Sequence, residues 1–367
     1  MAVAHRKVLD GIPSYQPAKT LESVRRELGL TEIIKLSGNE NNHGCSPDAA
    51  KAIGDLQSAL TLTRYPDTYG TLLREELASR LGVKEREIVF GNGSFELITI
   101  IAQAFLEPGL EAVIPKPSFG WYANATTTAG AAPVFAPLSE NHAVDLDAIL
   151  ERVNERTGVV WLCNPNNPTG AYFTAAELES FLRKLPSRIL VVLDEAYIDF
   201  VYGENPPVAA DLIHRYQNVI SLRTFSKVYG LASLRIGYAL ADESIVDVLE
   251  RVKLPINTNA AAQAAALAAL KDDQFYRYVI SANAAGRELY YETLKRWGVA
   301  YIPTQTNFIM LDTGLDSTQI VQEYLKEGAM IRAGAEFGLP TWLRITIGTE
   351  RENKKVLEIL GRLLGKS

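Results

Sequence analysis

Between residues 87 and 240 the chain alternates short apolar runs rich in Val, Ile and Leu with stretches that carry apolar residues at helical spacing. The runs fall at 87–90, 112–114, 158–162, 189–193, 218–222 and 236–240, each bounded by Gly, Pro, Asn or Asp, and the clearest helical stretches at 96–105 and 175–185. A strand that is apolar at every position has no face to offer to water, so both of its faces must be covered. Helices between such strands supply that cover, which predicts an α/β fold: a large domain with a mostly parallel mixed sheet covered by helices.

After Pro255 the alternation stops. Residues 260–270, 282–297 and 352–364 read as helices, and 307–311 and 342–347 as strands, which predicts a smaller α+β domain. With 367 residues there is chain enough for two cores. The expected division is an N-terminal arm and small-domain segment at 1–45, a large domain at 46–256 and a small C-terminal domain at 257–367.

Composition removes several function classes. A net charge of −6 argues against a nucleic-acid partner, which calls for a basic face. Cys45 and Cys163 are too few for a disulfide framework, and His5, His43, His142 and His214 are scattered singly, so no metal site is expected. The first 11 residues lack the apolar core of a signal peptide, and the alanine-rich stretch 260–270 is too short to cross a bilayer. A cytoplasmic protein with no membrane partner is expected.

In open parallel sheets, ligands bind beyond the carboxyl ends of the strands. Four polar clusters fall at that edge: Gly91-Asn-Gly-Ser94, Asn164-Pro-Asn-Asn-Pro-Thr-Gly170, Leu193-Asp-Glu-Ala-Tyr197 and Arg223-Thr-Phe-Ser-Lys-Val-Tyr-Gly230. Asp194 alone could hold magnesium in an ATPase, but no G-x-x-x-x-G-K-[ST] loop accompanies it, and it could equally cap a helix. A nicotinamide site fails because Glu96 stands where a third glycine is needed. Asn-Pro and Pro-Thr-Gly are turn formers in their own right. Lys227, an amine in a loop at this edge, makes the set hard to explain as unrelated turns.

These motifs, together with Ser226-Lys227 followed by Gly230-Leu231 and Arg235, Leu343-Arg-Ile-Thr-Ile-Gly348, Leu36-Ser-Gly-Asn-Glu40 and Arg64-Tyr-Pro-Asp67, resemble the fold-type I pyridoxal-phosphate aminotransferases. Within them the set is most similar to the histidinol-phosphate aminotransferase group, and the match runs in order from about Tyr15 to the C-terminus. The resemblance implies pyridoxal 5'-phosphate as cofactor, held by Lys227 as a Schiff base, with Lys227 then shuttling the substrate's proton. Asp194 would pair with the ring nitrogen, Asn167 and Tyr197 would bond the phenolic oxygen, and Phe119 would stack on the ring, although Phe119 could also be core packing. Ser94 and Phe95 at a helix start, with Thr224, Ser226 and Arg235, would form the phosphate cup. Phe95 stands where many of these enzymes have Asp. Arg235, between Leu234 and Ile236, reads as part of an apolar strand.

For the substrate, the resemblance implies Arg344 as the anion clamp, Arg332 as a second arginine nearby, Asn39 in the pocket and Tyr15 closing over it. A planar guanidinium suits carboxylate and phosphate alike, so Arg344 alone names no substrate. Asn42-His-Gly-Cys45 departs from the common Asn-Pro-x-Gly-Pro of relatives. Three activities stay open: transfer from histidinol phosphate to 2-oxoglutarate in histidine biosynthesis, transfer from an aromatic amino acid, and decarboxylation or elimination on the same scaffold. The partners are a small amino donor and a 2-oxo acid. A homodimer is expected, with Tyr65 reaching the cofactor phosphate of the neighbouring subunit, although Tyr-Pro-Asp is also a good turn.

Overall fold

The structure is a computed structural model that describes residues 3–12, 20–30, 32–56 and 63–366. Strand β1 (Ile34–Lys35) is followed by seven strands that form one sheet: β2 (Ile88–Gly91), β3 (Glu111–Lys116), β4 (Ala132–Pro137), β5 (Thr157–Cys163), β6 (Leu190–Asp194), β7 (Val219–Thr224) and β8 (Gly237–Ala241). Their order is β2-β8-β7-β6-β5-β3-β4, parallel throughout except for β8, which runs antiparallel to both neighbours.

Alternate residues of these strands feed two different cores. Ala112, Ile114, Val159, Trp161 and Val192 pack against the helices Ser94–Phe105, Trp121–Ala129 and Glu243–Val252. Val113, Val160, Leu162, Val191 and Leu193 pack against the helices Leu146–Leu150, Ala175–Lys184 and Ala209–Arg215. That two-sided burial is why the strands read as unbroken apolar runs.

The C-terminal part has its own core. Strands β9 (Ala300–Ile302), β10 (Phe308–Asp312), β12 (Arg332–Ala333) and β13 (Trp342–Thr346) form an antiparallel sheet in the order β12-β13-β10-β9. Helices Asp273–Trp297, Ser317–Lys326 and Glu350–Leu364 pack on it, and Leu36 from the N-terminal segment joins the same cluster. Strand β11 (Ala329–Met330) pairs in parallel with β1, tying residues 34–35 to the C-terminal part.

The helix expected at 282–297 begins at Asp273, where the Asp272 side chain caps the N–H of Phe275. Arg235 is not in a strand. It follows a short 3-10 turn (Ala232–Leu234) with φ +56°, and β8 begins two residues later.

Candidate active site

Parallel strands bring their carboxyl ends to one edge, and most of the predicted residues meet there. Asp194 ends β6, Thr224 ends β7 and Asn167 lies in the loop after β5. The antiparallel β8 begins at the same edge, so Gly237 sits between Gly91 and Thr224 in register. This places the loops at 91–94 and 224–227 side by side, with Arg235 between them. A Cβ on Gly237 would come 2.9 Å from the Ser94 nitrogen, and one on Gly93 would overlap Arg235 Nη2. Glycine at both positions lets the guanidinium lie against the start of helix Ser94–Phe105.

Arg235 Nη1 donates to Ser226 Oγ at 3.4 Å, and Thr224 Oγ1 donates to the same oxygen at 3.0 Å. The N–H of Asn92 is bound to Glu96 Oε2 at 2.6 Å and that of Gly93 to Gly91 O at 2.7 Å. The donors left at the helix start are therefore the first-turn N–H groups of Ser94 and Phe95. Glu96 thus takes the Asn92 N–H, and the helix start keeps its own two donors. Phe95 lies edge-on to Phe119 at 5.1 Å.

Asp194 is buried, and Tyr122 Oη donates to its Oδ2 at 2.7 Å while the Ala196 N–H donates to Oδ1 at 3.1 Å. Burial pushes its carboxyl up to about 6, against the lowering effect of these two bonds. Tyr122 is in turn stacked on Trp161, 5.2 Å between centroids. Sequence reasoning missed Tyr122; its only signal was a place on the apolar side of a helix start one turn beyond Phe119.

Lys227 is half-buried, with Nζ 3.1 Å from Asn39 O and 5.3 Å from the centre of the Tyr197 ring. Its amine is lowered to about 8, first by burial and then by the positive charge of Arg344. Arg235, the cation expected to matter here, contributes less than Arg344. Asn39, at φ +53°, gives its Nδ2 to Tyr197 Oη at 3.0 Å and accepts at its backbone oxygen from Asn307 Nδ2 at 3.1 Å. Its own N–H donates to Thr346 Oγ1 at 3.0 Å. Asn307 and Thr346 are residues that the sequence did not single out, and they tie Asn39, whose carbonyl accepts from Lys227, to the C-terminal part.

Arg344 is buried, donating from Nη1 to Asn167 Oδ1 at 2.6 Å and from Nη2 to Ser37 O at 3.0 Å. Its guanidinium lies against the rings of Phe308 and Phe337, 5.4 and 5.1 Å away, and its Nε is buried without a hydrogen-bond partner among the described residues. Burial lowers it to about 10. Arg332 stands directly across from Arg344 in the β12–β13 pairing. Tyr65 is 87% exposed, and Tyr15 lies outside the described residues.

A lysine amine lowered to about 8, a buried carboxylate whose charge acts on it, and two arginines, Arg235 and Arg344, gather at one edge of the sheet, an arrangement suited to an enzyme. The profile of the family described as Aminotransferase class I and II matches residues 31–360, and the chain belongs to that family. It is 44% identical over 356 residues to a histidinol-phosphate aminotransferase of Geobacillus sp. (strain WCH70), covering 97% of each chain. To the histidinol-phosphate aminotransferase of Bacillus subtilis (strain 168) it is 43% identical, covering 97% of this chain and 98% of that one. Among solved structures it resembles the Sinorhizobium meliloti histidinol-phosphate aminotransferase in complex with pyridoxal-5'-phosphate. There the TM-score is 0.91 at 27% identity, covering 100% of this chain and 98% of the other.

Proposed function

We propose that this chain is a pyridoxal-phosphate-dependent aminotransferase moving the amino group of histidinol phosphate to 2-oxoglutarate, as a cytoplasmic homodimer. The observation that carries the substrate is the pair Arg344 and Arg332, side by side on adjoining strands next to the Lys227 site. The names of the relatives support the same reading.

The residues fit the cofactor. Asp194 is a buried acid with two neutral donors and, among the described residues, no cation bonded to it, so a protonated ring nitrogen would complete it. The cradle left by Gly93, with Ser94, Thr224, Ser226 and Arg235, offers neutral donors and one positive charge to a phosphate. Pyridoxal phosphate, when bound, supplies a ring that withdraws electrons from the substrate's Cα. Asn167 and Tyr197 would hold the phenolic oxygen, and Phe119 would cover a ring face. Lys227, its amine already near 8, would hold the cofactor and then take the proton from Cα. Arg344, desolvated and flanked by two rings, would bind the anionic end of either substrate and keep water from it. Asn39 and Tyr15 would line the substrate side. The same reading keeps the chain division at 45 and 256, and the C-terminal core that Leu36 joins supports it.

Purified protein given 2-oxoglutarate with histidinol phosphate, phenylalanine or histidine should form glutamate with the highest kcat/KM for histidinol phosphate. A preference for phenylalanine would replace this reading with the aromatic one, and release of CO2 without glutamate would replace it with decarboxylation. Arg332→Ala should raise KM for histidinol phosphate about 10- to 100-fold, the worth of a hydrogen bond to a charged group, and that for phenylalanine far less. Equal losses would count against the phosphate-bearing substrate.

The dimer has its own test. Tyr65, exposed in the turn held by Asp67, would reach the phosphate of the neighbouring subunit. Tyr65→Ala and Lys227→Ala chains, each nearly inactive, should recover about a quarter of wild-type activity after subunit exchange, because half the dimers then carry one intact site. No recovery despite proven exchange would place Tyr65 outside the partner's site.

A further inference from the structure

Two arginines facing the same side of neighbouring strands repel one another. Arg332 and Arg344 are directly opposed across the β12–β13 pair, so their side chains leave the sheet on the same face. Arg344 has no carboxylate partner among the described residues; its hydrogen bonds go to Asn167 and Ser37. The positive charge of Arg332 and the negative charge of Glu336 both act on it, in opposite senses. Among the described residues the carboxylate joined to the pair is Glu336, whose Oε2 lies 2.9 Å from Arg332 Nη2.

Glu336 lies in the 3-10 turn Gly334–Phe337, which begins directly after β12. The next residue of that turn, Phe337, supplies one of the two rings against Arg344. A single turn therefore touches both cations, one by charge and the other by stacking. The backbone there is closely fitted. A Cβ on Gly334 would come 2.4 Å from the carbonyl oxygens of Leu339 and Trp342, so the turn cannot shift without disturbing β13. Nor is the ion pair sealed off: the side chains of Arg332 and Glu336 keep 30% and 49% of their exposure. Arg332 Nε, by contrast, is buried without a hydrogen-bond partner among the described residues.

We propose that Glu336 is the resident counter-anion of the substrate clamp and a specificity-determining residue: its carboxylate occupies Arg332 until the anionic end of the substrate displaces it. The inference rests on the function proposed above only in taking this arginine pair as the substrate clamp. With the site empty, Glu336 offsets the repulsion between the guanidiniums and holds Arg332 in place. When a phosphate arrives, Arg332 exchanges one anion for another, and Glu336 becomes a like charge beside the newcomer. The carboxylate thus penalises a dianionic ligand more than a monoanionic carboxylate, and a donor with no distal anion least of all. It restrains the affinity for the phosphate-bearing substrate, and it favours release of the phosphate-bearing product so that 2-oxoglutarate can follow into the same place.

The variant is Glu336→Gln, which keeps the size and a hydrogen-bond acceptor for Arg332 but removes the charge. In the enzyme with its cofactor bound, inorganic phosphate is measured as a competitive inhibitor against whichever amino donor the wild type turns over. The inhibition constant for phosphate should fall about 2- to 5-fold, the range for a partly exposed charge pair, and the gain should shrink as salt is raised. KM for histidinol phosphate should fall in parallel, and by a larger factor than KM for phenylalanine, whose single carboxylate charge meets less of the lost repulsion. Unchanged or weaker phosphate inhibition in Glu336→Gln overturns the proposal, since Glu336 would then only brace Arg332. A wild type that transaminates phenylalanine but not histidinol phosphate overturns the proposed substrate instead, and the phosphate measurement still decides the role of Glu336. Glu336→Asp, which restores the charge at a shorter reach, should return the inhibition constant toward the wild-type value; failure to do so while Gln shows the gain would assign that gain to altered shape and sink the charge argument.

Discussion

Lys227→Ala is expected to end multiple turnover, with kcat falling about 10⁴-fold or more, because one amine serves as both cofactor anchor and proton carrier. The site is built around making that amine reactive. Burial and the charge of Arg344 bring it down to about 8, so roughly a tenth of it is neutral at pH 7, where an ordinary lysine would be almost wholly charged. A neutral amine can attack a carbonyl carbon and accept a proton; an ammonium can do neither. Below pH about 8 the active fraction falls tenfold per unit, so loading of cofactor-free protein with pyridoxal phosphate should slow as pH falls from 8 to 6. Arg344→Gln should shift that profile upward in pH by removing the second cause of the depression. The anion cup does not involve Lys227, so Lys227→Ala should still bind the cofactor through Arg235, Ser226 and the start of helix Ser94–Phe105, without a covalent bond. Absorbance of the bound cofactor, borohydride trapping and steady-state assays check the three statements separately. Turnover near the wild-type rate would remove Lys227 from the chemistry.

The parts of this site that were legible in the sequence are those with a local signature. Strands β5, β6 and β7 announce themselves because both faces are buried, and the rule that ligands bind at their carboxyl ends then gathers Asn167, Asp194 and Lys227 without any distance being known. The direction of β8 was not legible, since hydropathy is the same whichever way a buried strand runs. That direction is what brings Gly237 and Arg235 to the edge between Gly91 and Thr224. The left-handed backbone of Arg235 was equally hidden, because its neighbours Leu234 and Ile236 read as strand. Contacts far apart in the chain left no trace: Tyr122 with Asp194, Asn307 with Asn39, Phe308 and Phe337 with Arg344. Each of these is an unremarkable aromatic or amide in its own segment. Its meaning comes only from what the fold sets against it.

Asp194→Asn should separate function from stability most sharply. An aspartate whose carboxyl is raised from 3.8 to about 6 by burial holds its proton more tightly folded than unfolded. Folding stability from this group is therefore full below pH about 4 and is lost as pH rises through about 6. By linkage the buried charge then costs the cofactor-free protein about 3 kcal/mol at neutral pH, at 1.36 kcal/mol per pH unit. Asparagine removes that cost and can keep both hydrogen bonds: its oxygen accepts from the Ala196 N–H, and its amide donates to the Tyr122 hydroxyl, which can turn to accept. The cofactor-free Asp194→Asn protein should thus be more stable than wild type at pH 7 by about 1–3 kcal/mol, with the advantage vanishing toward pH 4. Activity should move the other way. Without a carboxylate beside it the ring nitrogen loses its reason to stay protonated, and kcat should drop about 10²- to 10³-fold, the usual worth of one preorganised electrostatic partner. The stabilisation of wild type by added cofactor should shrink in the variant, since the carboxylate is relieved of its cost only when a cation sits against it. Denaturant midpoints of the two cofactor-free proteins at pH 4 and pH 7, with kcat for the loaded forms, test the whole chain of reasoning. Equal midpoints at pH 7 would mean that the carboxylate of Asp194 carries no such cost because it is already paired in the cofactor-free fold.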